Sequence, residues 1–254
     1  MTLQHAIFLF FAAVLGGALN AVAGGGSFIS FPALLFTGVP PIPANATNTV
    51  ALWTGLTAST RAFFHRLDAP KRILIPLLVS SLLGGTLGAL LLLKTSTHTF
   101  LRLLPWLMLL ATLLFIFGKR LAGRRSSGVA HHVSNRTIAI VAVIELFVGI
   151  YGGYFGGGMG IVILAMLAGA GMTDIHSMNA LKTIISSATN GIAVIAFIVA
   201  RAVFWPQALV MILGALIGGY FGAHYSLRLP ASLVRWFVIL IGTGMTAYFF
   251  VKAY

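Results

Sequence analysis

Residues 149–190 echo residues 16–56, and this internal repeat restricts the chain to folds built from two copies of one unit. Ala23-Gly24-Gly25-Gly26-Ser27 is answered by Phe155-Gly156-Gly157-Gly158-Met159. Asn45-Ala46-Thr47-Asn48-Thr49 is answered by Asn179-Ala180-Leu181-Lys182-Thr183. Gly84-Gly85-Thr86-Leu87-Gly88-Ala89 is answered by Gly218-Gly219-Tyr220-Phe221-Gly222-Ala223. Blocks that recur in the same order at nearly constant spacing mark a duplicated unit. In an apolar chain, Gly-interrupted segments at matching positions of two halves point to a transporter whose site lies where the copies meet.

Composition settles the environment. Of 254 residues, 59% are hydrophobic and 7% charged, with a mean hydropathy of +1.03. A soluble domain carries roughly a quarter charged residues, so this chain cannot clothe a water-facing surface. Apolar runs at 73–93, 100–117, 138–150 and 208–223 mark a multi-pass membrane protein. The net charge of +13 would suggest nucleic acid in a soluble protein. Here the bases fall between apolar runs, at Arg61, Arg66, Lys71 and Arg72 and again at Lys119, Arg120, Arg124, Arg125 and Arg136. That is the signature of cytoplasmic loops, which also favour anionic lipid, and no nucleic-acid module accompanies it. Cysteine is absent, which removes disulfide and thiolate chemistry. The apolar N-terminus lacks a basic start and reads as a first helix rather than a cleaved signal.

Each copy divides into five pieces. They are 5–22, 27–37, 45–64, 73–93 and 100–117 in the first copy, and 137–154, 159–170, 177–200, 206–227 and 231–252 in the second. The fold expected is all-α, two repeats, each with about four full transmembrane helices and one half-helix after a Gly-Gly-Gly break. A segment of a dozen residues falls short of the roughly 20 that a hydrocarbon core requires. The repeats occupy 1–118 and 137–254, joined by a cytoplasmic linker over 119–136. His131-His132 in that linker lacks carboxylate or cysteine support and reads as solvated loop. The basic residues after the third piece of the first copy, set against Arg201 alone in the second, place those loops on opposite sides. The copies are therefore expected to be inverted.

The candidate chemistry lies at the repeated blocks. Asn45, Asn48 and Thr49 share a helix face, and Asn179, Lys182, Thr183, Ser186 and Asn190 extend the same spacing into a longer polar stripe. Such stripes serve either as glue between helices or as contacts to substrate. Lys182 stands apart, being several residues inside an apolar helix with no acid one turn away; it suits an anion. Gly24, Gly25, Gly26 and Gly156, Gly157, Gly158 precede short helices, whose starts offer free N–H groups and a positive dipole end. Two such turns facing each other would cradle a small oxyanion; the competing reading is close helix packing.

Glu145 sits about two turns into an apolar segment, between Ile144 and Leu146, and is the candidate for proton coupling, against a structural pairing. Asp68 reads as a loop charge, Asp174 as a helix-start residue, Pro40-Pro41-Ile42-Pro43 as a stiff turn, and Trp53, Trp106, Trp205 and Trp236 as belt or packing residues. No nucleophile–base pair, metal set or nucleotide motif is present in the sequence, so no catalytic residue, metal or cofactor is assigned and the chain is not read as an enzyme.

At these blocks the sequence resembles the TauE/SafE family of sulfite exporters. The residues that carry the resemblance run from Ala23 to Leu35, then Gly38, Pro40 and Ala44-Asn45-Ala46-Thr47-Asn48. In the second copy they are Gly152 to Gly160, Asp174-Ile175-His176, Met178-Asn179-Ala180-Leu181-Lys182 and Asn190-Gly191. One departure is that 161–167 has no proline to match Pro32. The resemblance implies a multi-pass carrier of the inner membrane for sulfite or other sulfur-containing and organic anions. The expected function is then alternating-access transport of a small anion, with a homo-oligomer compatible with it. A passive anion channel and a non-transporting scaffold are the alternatives.

Overall fold

The computed structural model describes residues 1–63, 71–122, 134–172, 174–225 and 231–254. Ten helices account for nearly all of them: α1 (Leu3–Ala23), α2 (Ser27–Phe36), α3 (Pro41–Phe63), α4 (Lys71–Lys94), α5 (Thr97–Ala122), α6 (Asn135–Tyr154), α7 (Met159–Gly169), α8 (Ile175–Val199), α9 (Trp205–Tyr225) and α10 (Ala231–Ala253). No strand occurs among the described residues. The order long, short, long, long, long occurs twice, with α2 at 10 residues and α7 at 11. Seven helices are long and apolar enough to cross a membrane: α1, α4, α5, α6, α8, α9 and α10. Large apolar side chains such as Phe147, Leu213 and Leu240 point outward from them, a surface that suits hydrocarbon.

Helix α3 has the length to span, at 23 residues, but not the composition. Its polar residues Asn45, Thr47 and Asn48 are buried against protein rather than presented outward. A helix enclosed by neighbours on all sides can carry such groups if each finds a partner. The helix starts earlier than expected, at Pro41. Pro41 and Pro43 sit in its first turn, where a proline's missing N–H forfeits no helical bond. Asp174 accepts a hydrogen bond from the Ser177 backbone N–H at 2.8 Å and caps α8.

Helices occupy both ends of the expected 119–136 linker, α5 running to Ala122 and α6 starting at Asn135. Lys119 and Arg120 fall within α5. Residues 123–133, with Arg124, Arg125 and His131-His132, lie outside the described residues, as do Arg66 and Asp68.

Packing crosses between the halves. Helix α1 lies along α9 and α4 along α6; α3 packs on both α8 and α9, and α8 in turn packs on α4. Glycines set the closeness of these contacts. A Cβ added at Gly88 would lie 2.1 Å from the Ile150 carbonyl oxygen, and one added at Gly218 would lie 1.9 Å from that of Val14. Without a hydrophobic force between helices in lipid, such backbone approach supplies much of the association.

Candidate functional site

Helices α1 and α6 end in the same way. Gly24 and Gly156 adopt left-handed backbone, with φ of 76° and 77°. Their N–H groups donate back to the carbonyls of Leu19 and Tyr151, each at 3.1 Å. This is the glycine stop that satisfies the last carbonyls of a helix, and it reverses the chain into the short helices α2 and α7. The two turns touch: the Gly158 N–H donates to the Gly24 carbonyl at 3.3 Å.

Two clefts open beside this junction and share Asn20, Leu56, Gly156 and Asn190 as walls. One is completed by Ser27, Thr49, Leu52, Trp53 and Phe155 and is called here the Trp53 cleft. The other, the Lys182 cleft, is completed by Gly24, Met159, Gly160, Lys182 and Ser186. Lys182 is only 5% exposed, and no hydrogen-bond acceptor or carboxylate engages its ammonium among the described residues. Its stem runs past Gly160, where an added Cβ would lie 3.3 Å from the Lys182 Cδ.

The residues singled out from sequence divide between the clefts and the scaffold around them. Gly24, Gly156 and Lys182 come together at the clefts, with Thr49, Ser186 and Asn190 of the polar stripes. Asn48 does not line them: its amide donates to Ser27 Oγ at 3.1 Å and accepts from Ser30 Oγ at 2.5 Å, tying α3 to α2. Asn45 donates to the Tyr154 carbonyl at 2.9 Å, tying α3 to the end of α6. Asn179 lines neither cleft, and its carbonyl accepts from Thr183 Oγ1 at 2.7 Å.

The remaining glycines pack. Gly25 faces Phe115 and Val238, and Gly26 lies against the Gly16 carbonyl. Gly158 faces Ala111 and Phe115, while the Gly157 carbonyl accepts from the Tyr151 hydroxyl at 2.5 Å. Glu145 is fully buried where α6 meets α4, away from both clefts. Its Oε1 lies 2.9 Å from Ser81 Oγ, and its Oε2 has no partner among the described residues.

Three cleft residues with hydrogen-bonding side chains, Trp53, Ser27 and Asn20, escaped the sequence reading. Trp53 was expected as belt or packing; its indole N–H donates to the Ser187 carbonyl at 3.0 Å while its ring lines the wall. Ser27 was noticed only as part of a motif. Asn20 carried a usable signal, being the one amide or charged side chain in the inner part of α1, one turn before Gly24. Among the described residues no three His, Asp or Glu side chains converge to hold a metal ion. One cation with several neutral hydroxyls and amides around it makes a setting in which an anion is stabilised. The first N–H groups of α2 and α7 at Phe28, Ile29 and Met159 are engaged by the carbonyls of the glycine turns.

Comparison with known proteins places the chain among probable membrane transporters. The family model described as sulfite exporter TauE/SafE matches residues 9–249. A probable membrane transporter protein of Haemophilus influenzae is 28% identical over 94% of this chain and 92% of its own. Probable membrane transporter protein ORF9 of a Sinorhizobium species is 26% identical over 94% and 89%, and probable membrane transporter protein YfcA of Escherichia coli is 27% identical over 94% and 87%. No solved structure matches the chain. These relatives are probable membrane transporters, and the chain belongs to the sulfite exporter TauE/SafE family of multi-pass membrane proteins.

Proposed function

We propose that the protein is a secondary carrier of the inner membrane that moves a small sulfur-containing anion, sulfite or a related oxyanion or organosulfonate, by alternating access. The observation that carries this reading is Lys182, a buried ammonium without a partner among the described residues, held in a cleft where two glycine turns meet. Taking an unpaired charge out of water costs several kcal/mol, so an anion bound there relieves a standing penalty.

Alternating access would rest on two inverted repeats. The contacts support a two-fold relation, because exchanging α1–α5 with α6–α10 turns one set of pairs into the other. The α1–α9 pair becomes α6–α4, and α3–α9 becomes α8–α4. The α3–α8 and α5–α10 pairs map onto themselves. The glycine contacts follow the same exchange: Gly219 meets Gly55 where Gly85 meets Thr189. Rocking of one half against the other about the α3–α8 contact would then open the clefts to each side in turn.

Flux of sulfite into proteoliposomes containing the purified protein tests the reading. Saturable uptake, slowed by competing anions and accelerated by sulfite on the far side, is the expected result. Conductance that never saturates would instead make it a channel, and absence of flux from folded protein would leave a scaffold.

Coupling to protons is assigned to Glu145, a fully buried carboxyl between helices that would shift against each other. Glu145→Gln keeps the shape and the Ser81 contact but holds no exchangeable charge. The variant is expected to retain sulfite binding and to lose the response of flux to a pH gradient. An unchanged response removes Glu145 from the coupling.

A further inference from the structure

We infer that the substrate has two ends, an anionic group at Lys182 and a neutral group at the Trp53 cleft that both donates and accepts hydrogen bonds. This rests on the anion-carrier reading and narrows it from small anions in general to monoanions bearing a hydroxyl or amide, such as a hydroxyalkanesulfonate.

The argument is a count of hydrogen-bonding capacity left unused in the Trp53 cleft. Ser27 Oγ accepts from the Asn48 amide, and its own O–H reaches no acceptor among the described residues. Thr49 spends its hydroxyl hydrogen on the Asn45 carbonyl at 2.9 Å, which leaves its oxygen free to accept. Asn190 spends one of its two amide hydrogens on the Ser186 carbonyl at 2.9 Å, leaving the second and its side-chain oxygen free. Asn20 has no side-chain partner among the described residues and offers both donor and acceptor. Unmet groups of this kind are costly when a ligand displaces their water without replacing the bonds. A ligand filling the cleft therefore has to supply both a donor and an acceptor.

A second anionic group does not meet that demand. Carboxylates and sulfonates only accept, whereas the free oxygens of Thr49 and Asn190 need a donor. Among the described residues no Lys, Arg or His lines the Trp53 cleft, so a second charge would also lie unpaired beside the Trp53 ring and Phe155. An alkyl end fails differently, by leaving all four groups unsatisfied. The shared wall of Asn20, Leu56, Gly156 and Asn190 places the two ends in neighbouring spaces, which suits a short connection between them.

The two halves differ in a way that produces this polarity. Lys182 stands where the first copy has Asn48, while Met159 and Val162 stand where it has Ser27 and Ser30. The first copy's Asn is consumed by its two serines. In the second copy the serines are gone and a cation remains for the ligand.

Calorimetric binding to the purified full-length protein decides the matter with three sulfonates and sulfite. Hydroxyethanesulfonate is expected to bind about tenfold more tightly than ethanesulfonate, the difference of one well-formed neutral hydrogen bond. Ethanedisulfonate is expected to bind more weakly than either. Thr49→Val and Ser27→Ala are each expected to pull the hydroxyethanesulfonate-to-ethanesulfonate ratio toward one. The wild-type ratio alone is decisive should either variant fail to fold. Equal affinities for the two monosulfonates, or tightest binding of the disulfonate, would overturn the inference. Sulfite bound with all three sulfonates rejected would overturn it while leaving the anion carrier intact. Binding of none of the four anions by folded protein would bring down both.

Discussion

Lys182→Met is expected to abolish saturable anion flux, a loss of at least about 100-fold, while leaving the protein as stable as the wild type or more so. The first half of that expectation follows from charge. Hydrogen bonds to a charged group contribute about 1.5–3 kcal/mol, and the Coulombic attraction in a site walled from bulk water adds to them. Among the described residues no other Lys or Arg lines either cleft to take over the role. The second half follows from burial. The lysine stem lies beside Gly160 and Met159, surroundings in which an unbranched thioether of similar length packs well. Removing a buried ammonium that no protein group compensates deletes a penalty rather than a contact. A lysine that served only to hold helices together would behave in the opposite way, with melting temperature falling and flux surviving in what still folds. Flux and thermal unfolding measured on the same preparation separate the two. A stable variant that transports normally would end the assignment of Lys182 to the anion.

How far this was legible from sequence depends on which side of a helix each residue turned out to serve. The ten helices could be read because apolar runs and glycine breaks are local signals, and their ends fall within a few residues of the expected ones. Lys182 was legible for the same reason: a charge inside an apolar segment needs no knowledge of its neighbours to be conspicuous. Asn45 and Asn48 were not, because spacing shows which residues share a face and is silent on what covers it. Their partners, the Tyr154 carbonyl and the Ser27 and Ser30 hydroxyls, come from other helices. The glycine triplets look alike along the chain, yet only Gly24 and Gly156 reach the clefts. Those two occupy the left-handed stop position after a helix, and the residues that follow are turned toward α5, α10 and the α1 backbone. Trp53 illustrates the limit from the other direction. A tryptophan in a membrane protein suits an interfacial belt, and only the crossing of α3 with α8 turns it inward against Gly191.

Gly218→Ala is expected to be among the most damaging single substitutions in the chain, although alanine is the better helix former. In a helix interior the exchange gains roughly 1 kcal/mol from backbone propensity. At Gly218 the new methyl carbon would sit 1.9 Å from the Val14 carbonyl oxygen, with the Val14 Cα at 2.9 Å. Both are backbone atoms, so no side chain can swing aside and α9 must move away from α1. Separation along that contact would also loosen the approach at Gly222 one turn further on, where an added Cβ would lie 2.6 Å from the Ala18 Cα. Overpacking of this kind costs about 3 kcal/mol, at the upper end of the usual range, because relief requires moving whole helices. Gly244→Ala supplies the control, since nothing lies within 4 Å of a Cβ at that position. It should be neutral or slightly stabilising. Thermal unfolding of both variants in the same detergent gives the comparison, and Gly84→Ala extends it to the α4–α6 contact, where the added Cβ would lie 2.5 Å from the Leu146 carbonyl oxygen. If the halves are related by the two-fold exchange, which puts Gly84 at the place of Gly218, Gly84→Ala should lose stability to a similar degree as Gly218→Ala. A protein that tolerated all three equally would show that its helices do not approach through backbone at these glycines.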